Sequence, residues 1–176
     1  WNLAITFGLL GIMDGHMSGH EMLEMPTEVW PAMLISYLII TFLALVIHRS
    51  RQVRETIAPQ WFILAALLWF PALFLIAWNG LEINPARGTL QTVLSMWYGQ
   101  SLVWLWLTPV ALGAAYYLIP AILGRTIDKY YLAIFGFWCI AALAPWSVVH
   151  HLEGGPVPMW IPAVGTVMSI AMVFPI

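Results

Sequence analysis

Two adjacent imidazoles, His150 and His151, and one amide, Gln100, are the side chains of this sequence best suited to chemistry at a metal. Neutral imidazole suits copper, iron and zinc. Neighbours on a regular helix point about 100° apart, so both rings reach one ion only where a helix ends or unwinds. Pro145 before the pair and "EGGP" (153–156) after it supply such a disruption. A plainer reading makes them two polar residues at a membrane–water boundary, bonded to headgroups or water. Gln100 lies in "MWYGQSLVWLWLTP" (96–109), roughly 16 Å along its helix if that helix starts near residue 89. An amide inside a membrane is costly unless partnered, so it serves either function or helix packing. Tyr98 and Trp104 read more simply as packing or interface aromatics.

The elements that must carry these groups are set by composition. Hydrophobic residues make up 62% of the 176 and charged residues 8%, and mean hydropathy is +0.87. A water-soluble domain carries about a quarter charged residues, so the solvent here is lipid. Six basic and eight acidic residues leave a net charge of −2, too balanced for nucleic acid. The single cysteine, Cys139, sits in an apolar run, forms no disulfide within the chain and reads as packing.

Six apolar segments follow, at about residues 1–13, 30–48, 60–79, 89–122, 130–149 and 159–176. The expected fold is all-α, a polytopic transmembrane helix bundle forming one membrane domain over 1–176. The first and last segments, "WNLAITFGLLGIM" and the run ending "SIAMVFPI", are shorter than the ~20 residues of a full crossing. The chain therefore reads as a central piece of a longer membrane polypeptide. Pro71, Pro109 and Pro145 fall inside segments and imply kinks. Arg49, Arg51 and Arg54 in one connection and Arg125 and Lys129 in another place those loops in the cytoplasm. Asp14, Glu21, Glu24, Glu28, Glu82 and Glu153 then lie on the outer side, with the histidine pair.

The order of these motifs resembles the catalytic subunit of the haem–copper oxidase superfamily, and most closely the cbb-type cytochrome oxidases and nitric oxide reductases. "WYGQ" (97–100), "LTPVALGAAYYLIP" (107–120), "YYLAIFGFW" (130–138) and the His pair follow that order. "SGHEMLEMP" (18–26) is similar to the Gly-Arg-Glu-Tyr-x-Glu stretch outside the third span. The likeness runs from the end of span three to the start of span eight of a twelve-span fold.

The resemblance implies that His150 and His151 ligate a non-haem metal, copper or iron, with Gln100 at the position of the first ligating His. Glu21 takes the place of a residue that helps hold calcium beside the haem propionates. Glu24 matches a second acid near the active site or the point where protons enter. It further implies a haem, of b type, whose histidines lie on spans outside this piece. Cytochrome c-type or other redox subunits would be partners in a bacterial inner membrane, with the metal end toward the periplasm.

Three departures qualify this. Gln100 is an amide, a poorer ligand for Cu(I) than imidazole. The tyrosine that oxidases use lies six residues before the His pair or four after the first His, and here those positions are Ala144 and Trp104. Nitric oxide reductases lack that tyrosine but keep the third His and a nearby Glu, both missing here. The favoured expectation is a respiratory redox enzyme reducing a diatomic gas, nitric oxide before dioxygen. The alternative is a non-catalytic or electron-transfer membrane subunit that kept the scaffold and lost the second metal, and a third is an unrelated small membrane cytochrome or transporter fragment. His16, His20 and His48 read as exposed polar residues.

Overall fold

The computed structural model describes residues 1–52, 55–127 and 129–173; Arg54 and the final residues 174–176 of the last apolar segment lie outside these. Seven α-helices follow one another: α1 (Asn2–Met13), α2 (Trp30–Ser50), α3 (Ala58–Trp78), α4 (Thr89–Leu102), α5 (Thr108–Leu123), α6 (Tyr130–Ser147) and α7 (Trp160–Met172). No strand occurs among the described residues. Lipid offers backbone groups no hydrogen bonds, and helices satisfy them internally. Four continuous helical stretches, Thr27–Ser50, Ala58–Ile83, Thr89–Leu123 and Tyr130–Leu152, are long and apolar enough to cross a membrane.

These match the expected segments closely, with informative differences at their ends. The fourth is one 35-residue helical stretch, roughly 52 Å at 1.5 Å per residue, and so exceeds the hydrocarbon thickness. It joins α4 to α5 through a wide π-turn at Val103–Leu107, where the Thr108 N–H reaches back to the Val103 carbonyl. Pro109, in the first turn of α5, explains the widening. It has no N–H to give, and its ring crowds the carbonyl four residues earlier. Pro109 therefore falls after a π-turn rather than inside one regular helix, whereas Pro71 and Pro145 lie within α3 and α6.

The core gathers around α3, which packs against α2, α4, α5 and α6. Tyr37 of α2 stands 4.3 Å from Phe70 of α3, centroid to centroid, and accepts a 2.8 Å hydrogen bond from the Trp106 indole. Phe62 meets Phe137 of α6 edge-on at 5.3 Å. Water drives none of this inside a bilayer, so interlocking rings and buried hydrogen bonds must do it. Outward faces stay greasy, as at Ile39, Phe42, Leu43, Ile119, Ile122 and Phe135.

Charges sort to the two ends. The Tyr130 hydroxyl donates to the Thr56 carbonyl at 2.9 Å, joining the two connections that hold Arg49, Arg51, Arg125 and Lys129. At the other end His20 faces Glu82 at 4.0 Å, tying the 14–26 loop to the turn after α3.

Candidate metal centre

Pro145 does not stop α6, but the helix tightens just beyond it. After Ser147 the chain forms a 3₁₀ turn, Val148–Leu152. Tightening brings the neighbouring imidazoles together: the His150 and His151 rings lie 4.0 Å apart, centroid to centroid, at 33°. His150 is half-buried and His151 exposed. The Nδ1 of His150 faces the Ser147 carbonyl and stands 2.9 Å from the Ser169 hydroxyl of α7.

The facing element is α4, which packs on α6 and on the 3₁₀ turn. Near the C-terminal end of α6 the Pro145 carbonyl accepts the Trp97 indole N–H at 3.2 Å. Trp97 and Gln100 are spaced i, i+3 and so follow one side of α4, and Trp104 follows in the π-turn. Trp104 lines a cavity of about 400 Å³ together with Ser147, His150, Ser169, Met172 and Val173. Gln100 is half-buried one turn away and is not part of that lining. Among the described residues no hydrogen bond reaches its side-chain amide. The adjoining Ser101 is fully buried with an unpartnered hydroxyl. Ala144, where one tyrosine was sought, is buried, and its carbonyl accepts the Ser147 hydroxyl at 3.0 Å.

The acidic loop folds against the same helix. A Cβ on Gly99 would meet Met22 at 3.7 Å and the Glu21 carboxyl carbon at 3.8 Å, ordinary contact distances that put the loop against α4 beside Gln100. Met22 adopts a left-handed backbone, φ 61°, steadied by its N–H donating to the Glu24 carboxylate at 3.1 Å. Glu24 also borders a cavity of about 190 Å³ with Tyr98, Trp30 and Trp106. Among the described residues no three His, Cys, Asp or Glu side chains gather as a metal site. Calcium takes about six to eight oxygens; Glu21 contributes one exposed carboxylate beside α4.

Two histidines depart from their exposed reading. His20 keeps 13% of its side chain accessible against Glu82, because the loop closes over the turn after α3. His48 is half-buried and lines cavities on both sides of α3. Sequence reasoning missed Ser147, Ser169 and Trp97 as neighbours of the histidine turn. Only Ser169 left a trace, one of two hydroxyls with Thr166 in "TVMSIAM" (166–172).

The sequence pattern of the family described as Cytochrome C and Quinol oxidase polypeptide I matches residues 1–176. The chain belongs to that family. It is 28% identical over 186 residues to the Cbb3-type cytochrome c oxidase subunit CcoN1 of Stutzerimonas stutzeri, covering 99% of this chain and 38% of the relative. It is 28% identical over 185 residues to a cytochrome c oxidase subunit 1 homolog of Agrobacterium tumefaciens (strain T37), covering 99% and 34%. Against cytochrome c oxidase subunit 1 of Rhodobacter capsulatus the figures are 27% over 192 residues, 99% and 34%. The chain thus spans little more than a third of these polypeptide I relatives.

Proposed function

We propose that this chain is the membrane segment carrying the non-haem metal ligands of a respiratory haem–copper-type terminal reductase acting on a diatomic gas, with nitric oxide the favoured substrate. One observation carries the reading. Two imidazoles stand together on a tightened helix end packed against α4, and His150 borders a cavity. Their donor set fits a late transition-metal ion in two positions and departs from the resembling oxidases in the third, where Gln100 offers an amide. When bound, that metal would polarise the gas and stabilise arriving charge, beside a b-type haem.

The residues of the chain then divide the work. His150 and His151 hold the ion. Gln100 serves as a weak third ligand or donates an amide N–H to the substrate. Trp104, Met172 and Val173 line an apolar wall beside His150. Neither Trp104 nor Ala144 offers the phenolic hydroxyl that dioxygen cleavage calls for, which favours nitric oxide. Glu21 would lend a carboxylate to calcium, and Glu24 would lie near the point where protons enter. Residues 1–176 form one membrane domain in this reading. The histidine end faces the periplasm, the arginine-rich loops face the cytoplasm, and cytochrome c-type subunits supply electrons.

His150→Ala is expected to abolish gas consumption, a loss of at least about a hundredfold, while low-spin haem absorption persists. Measuring nitric oxide and dioxygen uptake separately in membranes identifies the substrate, and undiminished uptake by the variant would remove the metal role. A second reading, a scaffold without the second metal, draws support from Gln100 standing where the resemblance places a ligating histidine. Metal analysis separates the two: one copper or non-haem iron beyond the haem iron speaks for catalysis, none for the scaffold.

A further inference from the structure

We propose that Ser169 is a positioning residue for His150: with the Ser147 carbonyl it holds the imidazole proton on Nδ1 and leaves the Nε2 lone pair free for a metal ion. This rests on the metal-binding reading of the pair. The argument starts from what each atom can do. A carbonyl oxygen only accepts, so the Nδ1 that faces Ser147 must carry hydrogen. The Ser169 oxygen, 2.9 Å from Nδ1, is a second acceptor for that N–H. Its own hydroxyl proton goes to the Ser147 carbonyl at 3.3 Å. The three groups form a closed triangle in which every donor has an acceptor, and only one neutral tautomer satisfies it. The ring nitrogen used for a metal is set by the bond the other nitrogen makes.

A separate feature of α7 points the same way. At Gly165, one turn before Ser169, a Cβ would fall 2.4 Å from the His150 backbone nitrogen and 2.9 Å from the Val149 carbonyl carbon. The helix therefore lies directly on the histidine turn there. Gly165, Ser169 and Met172 follow i, i+4, i+7 on one side of α7. Glycine permits the approach, serine makes the polar contact, and buried Met172 closes the cavity wall beyond. Of the two hydroxyls on α7, Thr166 turns back to the Pro162 carbonyl of its own helix, while Ser169 meets the ring nitrogen.

The test uses the protein in its membrane complex and two readouts independent of turnover. Nitrogen NMR of isotope-labelled histidine reports the tautomer of neutral His150, and copper(I) titrated against a competing chelator reports affinity. The wild-type ring is expected to be protonated on Nδ1. Ser169→Ala removes one of the two acceptors and frees the ring to turn away from the Ser147 carbonyl, so it should give a mixture of tautomers and about tenfold weaker copper(I) binding, the scale of lost outer partners of metal ligands. Ser169→Thr, which keeps the hydroxyl, should restore both. An Ala variant with an unchanged tautomer and affinity within about twofold overturns the proposal. If His150→Ala leaves copper(I) binding unaltered, it is the metal reading that fails. The tautomer in Ser169→Ala then decides by itself whether the serine orients the ring.

Discussion

The histidine turn and the stretch of α4 that faces it hold polar groups at the same end of the bundle, and they are supported very differently. His150 has two partners, one from its own helix and one from α7. Gln100 and the buried hydroxyl of Ser101 have none among the described residues. Leaving a buried polar group unmet costs about 1–3 kcal/mol. One half of the candidate site is thus organised around the His150 ring, while the other carries unmet polar groups. This asymmetry is what separates a working metal site with a substituted ligand from a scaffold that has lost one.

The comparison breaks most readily on the supported side. Gly165→Ala would drive a methyl group into the His150 backbone, and overpacking of this kind costs about 1–3 kcal/mol. We expect a lower apparent melting temperature in detergent together with weakened metal retention. An alanine variant that melts like the parent would mean that α7 does not brace the turn.

On the unsupported side, Gln100→His should raise copper retention about tenfold, the scale of one gained or lost partner at a metal. Metal analysis of purified protein reads this directly. No gain would indicate that α4 and the histidine turn do not converge on one ion. Ser101→Ala carries the smallest effect. Removing an unpartnered buried hydroxyl should leave stability unchanged or raise it by less than about 1 kcal/mol, and a clear loss in a thermal melt would reveal a partner for that oxygen.

Much of the fold was legible because lipid demands runs of fixed length. Segment ends at Met13, Ser50, Trp78 and Leu123 fall within a few residues of those read from apolar runs. What a uniformly apolar helix cannot encode is which side meets which neighbour, since no polar stripe marks the outward face. Hence the disruption after Pro145 was foreseen, yet the contact of Ser169 with His150 was not. His20 was misjudged for a related reason. Its burial comes from a turn after α3 far along the chain, and nothing near residue 20 announces Glu82.

The π-turn at Val103–Leu107 has a wider consequence. It adds one residue to a helical revolution, so the two lengths of this long rod are clocked independently. The Gln100 length is set against α6, and the Pro109 length against α3. Deleting a single residue there would restore an even winding and swing one length by about 100° relative to the other. A change too small to alter membrane crossing would then rotate the Trp97 side of α4 away from α6, or α5 away from α3.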